Sequence, residues 1–220
     1  GCTPLGRLVA RLFTVQGESV VLIDSDPEAC ATAIAEGLMA IQTSALDSHA
    51  LEKAGIEEMG AFMALTNNGE VNLVLAQNTI NEFNPPRVYV IAPDNLPEDN
   101  PLLKNKGVRI FMEQKTFKIW NQYLKDGQIK LGKTLFKETG LALQQAHTQA
   151  LIRSGELLPL MLKRQGSLQL AKTTENAQTG DEVFYLLHDP RSQLLKQLSG
   201  SRSPDILTPE PLAEVEEVPI

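Results

Sequence analysis

Leu5, Leu8, Val9, Leu12 and Phe13 recur at i, i+3, i+4, i+7 and i+8, the spacing of one buried helical face, while Arg7 and Arg11 point elsewhere. Thr3 can cap this helix, Pro4 suits its first turn and Gly17 ends it. The run SVVLID (19–24) is apolar without alternation, as in a strand covered on both faces of a parallel sheet. The alternation then repeats. Asp26 and Pro27 open a helix through AIAEG, 38–42 reads as a strand, and 48–54 as a short helix closed by Gly55. AFMAL (61–65) is a strand, TNNGE a loop, and 71–83 a helix whose apolar set is Val71, Val74, Leu75 and Ile80. RVYVIA (87–92) and VRIFM (108–112) complete the strands. Strands and helices alternating at these lengths predict βαβ units, hence an α/β, Rossmann-like, doubly wound parallel sheet.

The pattern changes near Lys115. Phe117, Trp120 and Leu124 line one side of a helix, which suits either a core face or a contact with a second subunit. Lys115, Lys118, Lys125, Lys130, Lys133 and Lys137 accompany Asp126, the one acid of the 115–137 stretch, and read as the solvated face of a connecting segment. Beyond Gly140, LALQQAHTQALI, ELLPLMLKRQG, SLQLA, a turn at QTGD and EVFYLL read as short strands broken by turns, a small, mainly β (α+β) domain. Ser, Pro and Glu dominate from Ser199 onward. The expected organisation is a sheet domain over 1–114, a connecting helix and linker over 115–140, a small domain over 141–198 and a disordered acidic tail over 199–220.

Composition narrows the function classes. With 20 Lys and Arg against 27 Asp and Glu the 220-residue chain has a formal charge of −7, the wrong balance for a nucleic-acid surface. Its 42% hydrophobic content suffices for a sizeable core. The two cysteines, Cys2 and Cys30, form neither a disulfide framework nor a metal knuckle, which fits a reducing compartment. No apolar run reaches the length of a membrane span. His49, His147 and His188 are widely separated, with no nucleophile or acid at triad or metal spacing, and no Ser lies in a GxSxG elbow. Catalysis is therefore not expected, and no catalytic or metal-ligating residue is assigned.

The strongest candidate chemistry is GCTPLG at residues 1–6. It matches the dinucleotide turn GxGxxG at Gly1 and Gly6 but carries Thr3 at the middle glycine. Such a turn lets pyrophosphate approach the backbone and the free N–H groups of a helix N-terminus. Asp24, at the end of the second strand about 20 residues on, is placed to accept hydrogen bonds from an adenosine ribose. A carboxylate there favours NAD or another adenine nucleotide over NADP. Asp24 could equally cap the helix that follows.

In order, GCTPLGRLVARLFTVQGESVVLIDSDPE, AIQTSALDSHALEKAGI, ALTNNGEVNLVLAQ and RVYVIA resemble the RCK, or TrkA-N, domains that regulate monovalent-cation channels and transporters, over residues 1 to about 112. GELLPLMLKRQG and QTGDEVFYLL look like the companion TrkA-C domain. The resemblance implies a cleft over the strand ends. Gly1, Thr3, Pro4, Leu5 and Gly6 would face phosphates, Asp24 and Ser25 the ribose, Thr43, Ser44 and Ala45 the base, and Thr66, Asn67 and Asn68 the mouth. Asn72 would stabilise a helix start. The ligand implied is NAD(H) or AMP, ADP or ATP.

The partner implied is a transporter membrane domain, encoded upstream or as a separate subunit, with this module at the cytoplasmic face of the membrane as a homodimer or higher even oligomer. The activity implied is ligand-gated cation/proton antiport or potassium transport. Three departures oppose an intact site: Thr3 for the middle glycine, Thr43 and Ser44 for a Gly-Asp pair, and Ala92 and Pro93 for an Ala-Arg pair whose arginine would hold phosphate. A scaffold that binds nothing therefore stays open. An NAD-dependent oxidoreductase fits less well, because the small domain has no positioned acid or base. The turn also begins without the central strand that a doubly wound sheet places before it. A segment upstream of Gly1 is expected to supply that strand, with either an unassigned strand or a rearranged sheet in its place.

Overall fold

The computed structural model describes residues 1–105, 107–188 and the backbone of 216–218. The chain divides into two units, Gly1–Lys125 and Asp126–Ile220. Among the described residues no helix is long and apolar enough to cross a membrane.

The first unit runs α1 (Pro4–Val15), β1 (Leu22–Asp24), α2 (Pro27–Ala35), β2 (Ala40–Gln42), α3 (Ser48–Lys53), β3 (Phe62–Ala64), α4 (Gly69–Phe83), β4 (Val88–Ala92), β5 (Val108–Glu113) and α5 (Gln114–Lys125). All strand pairings in it are parallel, as the apolar runs require: β1 with β2, and β3 with β4 with β5. These form two separate sheets, and β1 does not pair with β3. β4 is buried at all five positions, the signature of a strand covered on both faces. Val88 and Val90 pack with Ala64, Leu75, Ala76, Leu102 and Val108. A second cluster joins Cys2, Ala10, Leu22, Cys30, Ala33 and Leu38 beneath α1 and α2.

The helix signals act as expected. Thr3 caps α1 with its hydroxyl, Asp26 caps α2, and Leu5, Leu8, Val9 and Leu12 are buried. Phe117 and Trp120 of α5 are core residues of this same unit, and Trp120 meets Tyr123 edge to face at 5.7 Å. The Tyr89 hydroxyl is buried without a hydrogen-bond partner among the described residues. Because a buried hydroxyl without a partner costs about 1–3 kcal/mol, Tyr89→Phe is expected to leave stability unchanged or raise it by about 1 kcal/mol. Urea unfolding would check this, and a clear loss would indicate a partner.

The second unit contains β6 (Ile129–Leu135), α6 (Leu141–Arg153), β7 (Leu157–Arg164), β8 (Ser167–Leu170), β9 (Glu182–His188) and β10 (Glu216–Val218), with antiparallel order β10-β6-β9-β7-β8. Phe136, Leu157, Leu162, Ala171, Ala177, Val183 and Tyr185 make its core. Gln165 and Gly166, with φ of 48° and 81°, form a two-residue hairpin turn whose twist suits β7 and β8. A Cβ on Gly132 of β6 would lie 2.6 Å from the Tyr185 ring, so glycine is needed there.

Three features differ from the sequence expectation. LALQQAHTQALI is the helix α6, not a strand. Its fully buried residues are Thr148 and Gln149, beside Leu141, Leu151 and Ile152 packed on the core, so polar residues interrupt the helical period in hydrophobicity. The Thr148 hydroxyl lies 2.7 Å from that of Thr174, and the Gln149 carboxamide 2.8 Å from the Thr173 hydroxyl. Of the connecting helix and linker expected over 115–140, the helix is α5 of the first unit, whereas 129–135 is β6 in the sheet of the second. Within the expected acidic tail, Glu216–Val218 pairs with β6. The rest of 199–220 lies outside the described residues.

Candidate functional site

The sequence-predicted positions converge where the strands end and the next helices begin. Asp24 closes β1, and its carboxylate accepts the Cys2 N–H at 2.6 Å and the Asp26 N–H at 3.1 Å. A side chain at Gly1 would lie 2.9 Å from the Leu65 carbonyl oxygen and 3.5 Å from Asp24 Oδ2, so Gly1 threads between the ends of β1 and β3. A Cβ on Gly6 would collide with the Gly1 carbonyl, which explains glycine at the last position of the turn. Thr43 donates its N–H to the Asp24 carbonyl at 2.9 Å, placing the end of β2 beside the same acid. Ser44 is exposed, and its hydroxyl accepts the Leu46 N–H at 3.2 Å. Ala45 packs on the β3–β4–β5 core. Ser25 and Asn67 are exposed.

Thr3, at the middle-glycine position, has extended φ and ψ of −61° and 159°, a conformation open to any residue. Its hydroxyl accepts the Gly6 N–H at 3.2 Å. The Leu5 side chain is fully buried, so only its backbone could face a ligand. That N–H donates to Asn121 Oδ1 of α5 at 2.9 Å. Pro4 has no N–H, and Arg7 N–H reaches the Thr3 carbonyl at 2.8 Å. The Leu5 and Gly6 N–H groups, which the helix itself leaves unpaired, are thus taken up by side chains of the same chain.

The start of α4 repeats this arrangement. Asn68 accepts the Glu70 and Val71 N–H groups at 3.0 and 3.2 Å, and Gln114 Oε1 accepts the Gly69 N–H at 2.6 Å. Gly69 sits so close to the end of β4 that a Cβ would overlap the Pro93 backbone. Fully buried Asn72 ties the region together. Its Oδ1 accepts the Thr66 N–H at 3.0 Å and the Thr66 hydroxyl at 2.7 Å, while Nδ2 donates to the carbonyls of Thr66 at 3.1 Å and Ile91 at 3.0 Å.

Arg7 brings positive charge to the turn but is already engaged. It donates to the Cys2 carbonyl at 2.8 Å and pairs with Glu36 at 3.0 Å, which also takes Arg11 at 3.3 Å. Burial pushes the Cys2 thiol up to about 12, so at neutral pH it stays a thiol, 4.0 Å from Cys30 Sγ. His49 lies on the surface beside Glu52 at 3.2 Å.

Sequence reasoning missed Asn121, Gln114 and Arg7. The signal for Asn121 was present: it stands four residues after Phe117 and one after Trp120, an amide on the apolar stripe of its helix. No pattern marks Gln114, whose role depends on α5 reaching the start of α4.

The TrkA-N domain model matches residues 1–113. A crystal structure of the GsuK RCK domain is 14% identical over 83% of this chain and 46% of that one, with a TM-score of 0.28. A structure of the GsuK channel bound to NAD is 14% identical over 88% of this chain and 36% of that one, with a TM-score of 0.35. This chain thus spans less than half the length of either solved protein. No curated protein sequence matches it.

Proposed function

This chain belongs to the TrkA-N domain family, and on that footing we propose that its first unit is the ligand-sensing part of a regulator of monovalent-cation transport. NAD(H), or another adenine nucleotide, occupies the strand-end cleft, with its phosphates at the Gly1–Gly6 turn and its ribose on Asp24. The observation that carries this reading is the Asp24 carboxylate beside the glycine turn, bonded to the Cys2 N–H. A ribose diol can share such an acceptor, whereas a 2′-phosphate would meet a like charge.

The regulated partner is the membrane domain of a cation/proton antiporter or potassium transporter, carried in the same chain or as a separate subunit. The sensor works as a homodimer or higher even oligomer at the cytoplasmic face of the membrane. Ligand shifts the dimer between arrangements only to the extent that it binds them unequally. The second unit acts as the TrkA-C-like companion, binding another ligand or supporting assembly, and the module carries out no catalysis.

Calorimetric titration with NAD, NADH, NADPH, AMP, ADP and ATP tests the reading. At least one of NAD, NADH, AMP, ADP and ATP is expected to bind, NADPH to bind at least about tenfold more weakly than NADH, and Asp24→Ala to lose about tenfold in affinity for the preferred ligand, the effect of one charge-assisted hydrogen bond. Absence of heat and of any melting shift with all six would contradict it. One observation favours a second reading, a scaffold without ligand: the first-turn donors of α1 and α4 are already satisfied by Thr3, Asn121, Asn68 and Gln114. The same titration decides between the two.

A further inference from the structure

Gln114 and Asn121 stand seven residues apart on α5. Seven residues at 100° each fall within about 20° of two full turns, so both side chains leave the same face, about 10 Å apart along the axis. Gln114 Oε1 rests on the first N–H of α4 and Asn121 Oδ1 on the Leu5 N–H of α1. One face of one helix therefore caps both α1 and α4. The start of α5 is pinned in turn, with Lys115 N–H donating to Asp94 Oδ1 at 2.9 Å beyond the end of β4. Asn121 Nδ2 donates to the Phe117 carbonyl at 2.9 Å, which holds its oxygen toward α1.

An amide oxygen at the positive end of a helix occupies the place a phosphate oxygen would take, since both accept from the same N–H. The Leu5 N–H sits inside the turn to which the phosphates are assigned, and Asn121 is buried. We propose that α5 is an internal strap: Asn121 stands in for a ligand phosphate on α1, and a bound phosphate displaces it and loosens α5. The inference rests on the nucleotide reading of the cleft and adds its route of regulation. α5 ends at Lys125, and the next residue, Asp126, opens the second unit. A release of α5 thus alters the segment that joins the ligand unit to the remainder of the chain.

The test compares the full chain with Asn121→Ala and Asn121→Asp, using NADH, ADP and inorganic pyrophosphate as probes. Alanine frees the Leu5 N–H and is expected to tighten binding by about fivefold. Aspartate puts a carboxylate on the helix end and is expected to weaken binding tenfold or more. A merely structural asparagine would give weaker binding in both variants. Affinity in the order alanine, wild type, aspartate supports the strap, and any other order among proteins that bind overturns it. If alanine compromises folding, aspartate against wild type still decides, because equal or tighter binding by aspartate overturns the proposal.

Hydrogen exchange supplies the readout of motion. Ligand is expected to protect residues 1–8 of the wild type while accelerating exchange in 114–125, and protection of both segments overturns the strap. Should no protein bind any probe, the nucleotide reading fails. The strap, which needs a bound phosphate to displace Asn121, is then overturned with it, whereas binding with the wrong order of affinities overturns the strap alone.

Discussion

Asn72→Ala is expected to destabilise the first unit by about 3–4 kcal/mol, read as a fall in the urea midpoint at unchanged slope. The side chain is fully buried, and all four of its hydrogen-bonding positions are used on Thr66 and the Ile91 carbonyl. Alanine leaves a cavity, strips the buried Ile91 carbonyl of this partner and removes three bonds to half-buried Thr66, and an unpaired buried polar group alone costs about 1–3 kcal/mol. The isosteric Asn72→Asp separates packing from hydrogen bonding. It keeps the acceptor for Thr66 but turns the two donated bonds into oxygen against oxygen, at Thr66 and at Ile91. At neutral pH it should be at least as unstable as alanine. Acid should partly rescue it, because the protonated carboxyl can donate to one of those carbonyls. A loss below about 1 kcal/mol in both variants would show that Asn72 does not hold the ends of β3 and β4 together.

The second unit should respond somewhat less strongly to loss of Asp181. This carboxylate is buried, takes both Nε and Nη2 of Arg164 at 2.9 and 2.6 Å, and accepts the Gln178 N–H at 2.7 Å. Asp181→Ala is expected to cost about 2–3 kcal/mol, below the full value of breaking a buried pair because Arg164 is about one third exposed and can turn to water. The Arg164 hydrogen bond, helped by the Gln178 N–H and opposed by burial, holds the Asp181 carboxyl below the usual carboxylate range. The folded value is thus depressed relative to the unfolded chain. The pair's contribution is fully present above the unfolded value near about 4, shrinks as the pH falls from there, and is gone below the depressed folded value. Wild type and Asp181→Ala should therefore differ in melting temperature at pH 7 and converge toward pH 2. A gap that is constant with pH would mean that packing, not charge, makes the difference.

Both positions show what a sequence can and cannot reveal. The helix α1 was legible because each rule agreed: Thr3 at the cap, Pro4 behind it, and Leu5, Leu8, Val9 and Leu12 on one face. β4 was legible because burial on both faces leaves an uninterrupted apolar run. The same rules failed for α6, whose fully buried residues are the polar Thr148 and Gln149, held by hydrogen bonds to the 173–177 loop beside the apolar packing of Leu141, Leu151 and Ile152. They failed for β6 because its lysines masked the alternation, Lys133 meeting Glu182 across the sheet at 3.3 Å. At the strand ends, the turn and Asp24 were legible from order and spacing, and Asn72 only from the family resemblance. The caps from Asn121 and Gln114 were not, because each depends on a contact made across the fold between partners 116 and 45 positions apart in sequence. Thr3 was expected both to cap α1 and, as a departure from the middle glycine, to oppose an intact site. It supplies the expected cap with unstrained backbone, and its hydroxyl and Asn121 Oδ1 hold the Gly6 and Leu5 N–H groups for which a phosphate would compete.

The central claim is that an adenine nucleotide is sensed at the ends of β1 and β3, and amide chemical shifts map that location directly. Titration of the isotopically labelled chain with NADH should move the backbone resonances of Gly6, Asp24, Thr43 and Thr66 most, with a saturable dependence on ligand and smaller changes along α5. Saturation with NADH and with ADP that leaves these four amides unmoved, or moves only residues beyond Asp126, would contradict the account.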